Sequence, residues 1–364
     1  MKKVIAIIVA FIILIILFGM IGYFNHDKID SFIDNEEWLE KSVFSTQVTE
    51  DVLAITSNNY LVTYTNNSVN FYSSDGKIAK TFYLNSNSIK LAGSGAYTTV
   101  FDEDASMLYL YKDTTLLWEK KVPSQLKKIS VNKNGYVATC YLPNGYKSGV
   151  TLYNSQGEAL VTSYLASTYA VSTVCSKDNR YLYIAEVNIS GISPQSFLRV
   201  IDLNNKTDKK EIINKKIISN EIITDISCTS QDEIIILTDS GMYKISPEYN
   251  AKSIYSFDEK DTMYATITDT DFPYVIEQDF TNDTILRIFA EEIINIKLPT
   301  IPELYETMAN KLAIRMDNEV IVYSNSQKEI ARISLTDNVV GLKFIKDANV
   351  LALIYKNKIE FVRL

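Results

Sequence analysis

Few residues in this 364-residue chain are equipped for chemistry. There is one histidine, His26, so Ser-His-Asp and Cys-His relays and histidine-based zinc sites have nothing to draw on beyond residue 26. The three cysteines, Cys140, Cys175 and Cys228, are far apart and show no C-x-x-C spacing. A lone cysteine commonly acts as a small buried apolar residue. Cys175 and Cys228 fall at matching places in neighbouring repeats, so a disulfide is the alternative. Acids cluster at Asp102-Glu103-Asp104, at Asp258-Glu259 with Asp261, and at Asp269 with Asp271. Calcium needs about six to eight oxygen ligands from a suitably folded loop, and none of these clusters matches the calcium-loop motif with its glycine and terminal glutamate. They read as solvated turns, and the sequence predicts neither metal nor cofactor. A glycosidase would need two convergent carboxylates, and nothing selects a pair.

The bulk numbers narrow the partners. Net charge is -8 and the pI is about 5.0. An acidic chain with six arginines is a poor phosphate-backbone binder, so no nucleic acid is expected. Hydrophobic residues at 46% and charged residues at 22% argue against global disorder. The 24 tyrosines suit strands, where aromatics fit a half-buried pleated surface.

The elements that would position any site repeat along the chain. Val69-Asn70-Phe71-Tyr72, Leu108-Tyr109-Leu110-Tyr111 and Val150-Thr151-Leu152-Tyr153 each precede a turn. Aligned on Tyr72, Tyr111, Tyr153, Ile201, Ile245, Phe289, Tyr323 and Phe361, the repeats recur at intervals of 34 to 48 residues. That period in an all-strand chain predicts a β-propeller. Repeats begin near residues 50, 89, 127, 170, 221, 263, 304 and 338, giving an all-β fold of eight four-stranded blades. Seven is the alternative, because the seventh repeat (305–335) is short and its inner strand poorly defined. The third repeat is clearest: strands at 128–131, 136–142, 149–153 and 158–164 separated by Asx-Gly-type turns. Glu233-Ile234-Ile235-Ile236-Leu237, continuously apolar, reads as an inner strand covered on both faces. The last repeat shows three strands, and residues 41–49, with Val43, Phe44 and Val48, are expected to supply its outer strand and close the ring.

The N-terminus reads as an address. Met1-Lys2-Lys3 precedes the uncharged run Val4 to Ile21, whose eighteen residues span roughly 27 Å as a helix, about one hydrocarbon core. Two lysines before it and acids after it place the N-terminus in the cytoplasm. Residues 1–24 are therefore expected to be an uncleaved single-pass membrane anchor. Residues 25–42 are expected to be a juxtamembrane linker or short helix containing Trp38, and residues 43–364 an extracytoplasmic propeller. A cleaved signal peptide is the rival, but its core is normally shorter and ends in small residues; here Met20-Ile21-Gly22-Tyr23-Phe24 follows.

Leu116-Leu117-Trp118-Glu119-Lys120-Lys121-Val122 resembles the repeat of pyrroloquinoline-quinone-like propellers. The layout as a whole resembles an uncharacterised Firmicute family with one N-terminal membrane helix and a propeller exterior, which implies no particular activity. Quinone-like propellers include dehydrogenases and non-catalytic envelope scaffolds. The dehydrogenases need an adjacent cysteine pair, absent here. WD-type propellers match less well, since the expected His and Trp-Asp landmarks are missing. Ser73-Ser74-Asp75-Gly76 is similar to the turn of sialidase propellers, but without a recognisable sugar-acid clamp it reads as a hairpin turn.

Two surfaces stand out. The loops 142–148 and 188–196 join second and third strands of the third and fourth repeats. With the strand residue after them they offer Tyr146, Lys147, Ile192, Pro194, Gln195 and Phe197 with little charge, as an interaction surface would. On the opposite face, Lys206, Lys209, Lys210, Lys215 and Lys216 could meet anionic wall polymer or lipid headgroups. The expectation is a non-enzymatic scaffold or sensor in the bacterial cell envelope, tethered to the cell membrane and binding an envelope or membrane protein or wall polymer. The alternative is a glycan-binding or glycan-processing protein using carboxylates in the central funnel.

Overall fold

The third repeat shows how the sequence builds one unit. Leu126–Val131, Val137–Tyr141, Ser148–Tyr153 and Ala159–Leu165 pair antiparallel in chain order, each with its sequence neighbour. The middle two strands are buried throughout, whereas the last is buried only at Leu165. At Asn132-Lys133-Asn134-Gly135 the turn is capped by Asn132, whose side-chain carbonyl accepts from Asn134 and Tyr136 N–H at 3.0 Å. Gly135 has φ +81°, and a Cβ there would stand 2.6 Å from the Tyr97 ring of the preceding repeat, so both backbone and space demand glycine.

The structure is a computed structural model that describes residues 52–364 apart from 66, 124, 205–211, 230–232, 247, 258–261, 268–272, 279–283, 290–292, 309–310, 325–327 and 346–348. It is an eight-bladed β-propeller. Blades 1 to 8 span residues 53–83, 89–121, 126–165, 169–219, 223–256, 262–298, 304–334 and 339–363. The first seven sheets have four strands, and blade 8 shows three among the described residues. The seventh repeat has a regular first strand, Leu304–Met308.

Among the described residues the core forms eight apolar clusters, one between each pair of consecutive blades. The last of them closes the ring. Leu61 and Tyr72 of blade 1 pack with Ile345, Ala352, Ile359 and Phe361 of blade 8, and the Tyr72 and Phe361 rings lie 6.2 Å apart. The Trp118 segment also does packing work. Trp118 of blade 2 lies over the Gly157 turn of blade 3, where a Cβ would meet its ring at 3.0 Å, and Lys120 donates to the Gly157 carbonyl.

One strand assignment is corrected. Ile234–Thr238 is the second strand of blade 5, and Ile223–Cys228 is its first. Both faces of a second strand are covered by neighbouring blades, which explains its apolar run. First strands turn one side to the central channel and are less buried: Leu304–Met308 has no fully buried residue. Cys175 and Cys228 do occupy matching places, each ending the first strand of its blade. No disulfide joins them. Burial pushes the Cys140 and Cys175 thiols up to about 12, far from the reactive thiolate range.

The expected anchor, linker helix and closing segment, together with His26 and Trp38, lie outside the described residues. Among the described residues, no helix is long and apolar enough to cross a membrane.

Candidate interaction face

An up-and-down blade sends its second-to-third loops, and the connection to the next blade, to one face of the ring. On that face the loops of blades 3 and 4 are tied together. In blade 3, Gly145 (φ +81°) turns the chain with open space around it. The turn delivers Tyr146 onto Tyr164 of the fourth strand, ring centroids 5.0 Å apart. Lys147 reaches across to blade 4: its Nζ donates to Ser190 Oγ at 2.7 Å and sits 5.1 Å from the Tyr169 ring centre. In blade 4, the Asn188 side chain accepts from Ser190 N–H at 2.9 Å. This shapes the loop that holds Ile189 at 56% and Ile192 at 111% exposure. Leu142, Tyr146, Tyr164 and Tyr169 are also exposed on this side.

A buried ion pair underlies these loops. Glu186, fully buried in the second strand of blade 4, accepts from Thr168 Oγ1 at 2.6 Å and from the Arg199 guanidinium. Thr168 lies in the connection between blades 3 and 4, so one carboxylate joins that connection to two strands. Ser148 Oγ adds a second tie by accepting from Ala170 N–H at 3.0 Å. Blade 6 repeats the charge pair with Glu277 and Arg287, joined by Tyr255 of blade 5.

Of the six residues the sequence singled out, Tyr146 and Ile192 are the exposed tips. Lys147 and Pro194 are half-buried at the loop bases. Gln195 and Phe197 belong to the third strand of blade 4, half-buried, with Phe197 opposite Glu186 and Lys216. Tyr164, Tyr169 and Ile189 were missed. The tyrosines lie on strands near their loop-face ends, a position visible only once strand limits are fixed.

The central channel is different. Lys128 of blade 3 pairs with Asp225 of blade 5 at 2.6 Å, and Ser172 of blade 4 donates to the same carboxylate oxygen at 2.7 Å. First strands of three blades meet there, and residues of non-adjacent blades can do so only through the ring centre. Glu306 of blade 7 pairs with Lys343 of blade 8 at 2.7 Å. Burial pushes the Glu306 carboxyl above its ordinary value, against the opposing pull of Lys343. Among the described residues, Asp225 and Glu306 are the carboxylates on the first strands, and each is held by a lysine.

The described acid cluster of blade 2 holds its loops. Asp102 accepts from Ala105 N–H, Asp104 from Asn87 N–H, and Glu103 from Ser88 Oγ and Lys90. Asp258, Glu259, Asp261, Asp269 and Asp271 lie outside the described residues, as do Lys206, Lys209 and Lys210. Lys215 and Lys216 fall in the fourth strand of blade 4, Ile212–Ser219. Among the described residues no group of acids, histidines and cysteines could hold a metal. The Ser73-Ser74-Asp75-Gly76 segment is the third-to-fourth hairpin of blade 1, closed by Gly76 N–H to the Ser73 carbonyl at 2.9 Å.

A model for a family of unknown function (DUF5711) matches residues 36–364. The chain belongs to this family. None of the curated proteins matches it. Among solved structures, BamB from Moraxella catarrhalis is similar with a TM-score of 0.55 at 13% identity, over 90% of this chain and 98% of that one. The C-terminal WD40 domain of Sif2 is similar with a TM-score of 0.57 at 15% identity, over 88% of this chain and 99% of that one. At such identities the DUF5711 chain shares the propeller fold with both and nothing finer follows.

Proposed function

We propose that this protein is a non-enzymatic, membrane-tethered propeller that scaffolds or senses within the bacterial cell envelope, its loops on blades 3 and 4 receiving another protein. The observation that carries the reading is the joined loop pair: exposed Leu142, Tyr146, Tyr164, Ile189 and Ile192 on a base fixed by Glu186, Thr168 and Arg199. Tyrosine, serine, glycine and asparagine recur in these loops, the mixture that gives large rigid contacts and adaptable hydrogen bonds in protein-binding loops. Aromatic anchors on a stiff base keep the entropy cost of association low. The apolar run Val4 to Ile21 supports the tether and the extracytoplasmic placement.

Carboxylate catalysis on a glycan finds less support, because Asp225 and Glu306 are each engaged by a lysine rather than facing one substrate. Crosslinking in intact cells, followed by affinity capture and mass spectrometry, tests the reading. The comparison is between the full chain and one whose first 24 residues are replaced by a cleavable signal. A reproducible membrane or envelope protein recovered with the full chain is the expected result. Retention on purified wall material with no protein recovered would replace the scaffold with a glycan binder.

A further inference from the structure

The carboxylates on the loop face have different partners. Glu103 of blade 2 is paired with Lys90, Glu303 before blade 7 with Arg315, and Asp337 before blade 8 with Lys358. Glu221 and Asp239, where blade 4 passes into blade 5, are held among the described residues by uncharged donors. Glu221 accepts from Thr238 Oγ1 and from the Tyr243 hydroxyl, each at 2.7 Å. Asp239 accepts from Ile222 N–H and from Ser240 Oγ, each at 3.1 Å. Burial pushes the Tyr243 hydroxyl up to about 12, and both carboxylates add to the rise, so the two negative charges act on one spot. Ile222, next in sequence to Glu221, is 37% exposed.

This pair is continuous with the joined loops of blades 3 and 4. Asn220 N–H donates to the Pro194 carbonyl at 3.0 Å. Ser196 Oγ donates to the Glu221 carbonyl at 2.8 Å and accepts from Ile223 N–H at 3.2 Å. The loop that carries Ile189 and Ile192 is thus fastened to the segment that carries Glu221. Lys147, the lysine of the blade 3 loop, is already engaged by Ser190 and Tyr169. An apolar patch edged by two carboxylates with no described cation beside them repels an anionic lipid surface and attracts a positive group. Resting on the reading of this face as a protein-docking surface, we propose that the partner presents apolar residues beside a lysine or arginine, whose charge is received by Glu221 and Asp239.

Titration of the full chain with two labelled amphipathic peptides, one of leucine and lysine and one of leucine and glutamate, tests this. The expected result is binding of the lysine peptide alone. Glu221→Gln with Asp239→Asn, which keeps an acceptor oxygen at each position, should weaken it by about tenfold. Tyr146→Ala with Ile192→Ser should weaken it to a similar extent. Asp75→Asn with Asp113→Asn, on the opposite face, should leave it unchanged. Equal loss in that opposite-face variant would reduce the effect to net charge and overturn the proposal, as would equal binding of the glutamate peptide. Loss with the Tyr146 and Ile192 variant alone would refute the charge assignment and leave the docking face standing. Loss with neither face variant would refute both. The native chain supplies a check free of substitutions. Raising salt from about 0.05 to about 0.5 M should weaken the lysine peptide by about tenfold or more, and indifference to salt would contradict the proposal.

Discussion

The channel and the loop face of blades 3 and 4 are built from opposite materials. On the channel, charges come in pairs that cross between blades: Lys128 with Asp225, and Lys343 with Glu306. On the loop face the exposed groups are apolar or aromatic, and the charge lies beneath them as Glu186 and Arg199. Paired charge on the inside ties blades to one another. The exposed faces of apolar groups on these loops add little to holding the ring and gain most when something covers them. On the proposed reading, a partner is met at the loops and not in the channel.

The largest effect that sharpens this contrast is expected at the base of the face. Glu186→Ala leaves the Arg199 guanidinium, 17% exposed, without its carboxylate. Breaking a buried pair in this way should cost about 3–5 kcal/mol in denaturant unfolding. Asp225→Asn on the channel is expected to cost about 1 kcal/mol or less, because Lys128 and Asp225 are each more than a third exposed. If the two substitutions prove equal, the distinction between a rigid base and a solvated channel is wrong.

The pH response should separate the regions by sign. Burial raises the Glu306 carboxyl above the ordinary 4.5. Its contribution to stability is complete below that value and is lost as pH rises through the folded-state value. Glu103, in a blade 2 loop, is lowered by hydrogen bonds from Ser88 and Lys90. Its contribution is present above the ordinary value and lost as pH falls through its depressed one. In urea titrations from about pH 4 to pH 7, the advantage of the native chain over Glu306→Gln should shrink with rising pH. The advantage over Glu103→Gln should grow along the same series. Parallel profiles would refute the assignment of burial to one site and hydrogen bonding to the other.

Much of the ring was legible because its marker residues recur for a structural reason. Tyr72, Tyr111, Tyr153 and Tyr323 each sit where the third strand shifts register against the fourth, so the bulge repeats with the blade. The strand Ile234–Thr238 was placed one position too far inward because an apolar run reports two covered faces and does not say which strand has them. The face was only partly legible. Tyr146 and Ile192 follow from loop length and composition. Tyr164 depends on a pleat position that sequence does not fix, and Phe197, next to the loop in sequence, is drawn into the sheet by its pairing with Glu186. Glu186 itself carried no sequence signal, because a single acid in an apolar strand gains meaning only when Arg199 and Thr168 are found beside it.

The smallest expected effect on stability belongs to the residues proposed as the anchors of the interaction face. Tyr146→Ala combined with Ile192→Ser removes side chains 47% and 111% exposed, and should change unfolding free energy by about 0.5 kcal/mol or less. Capture of crosslinked partners from intact cells by this double variant, against the native chain at equal abundance, tests the central claim most directly. The account predicts that recovery of the main protein partner falls by about tenfold or more, as loss of central anchors requires. Recovery of the same partner in undiminished amount would contradict it and move the binding surface off blades 3 and 4.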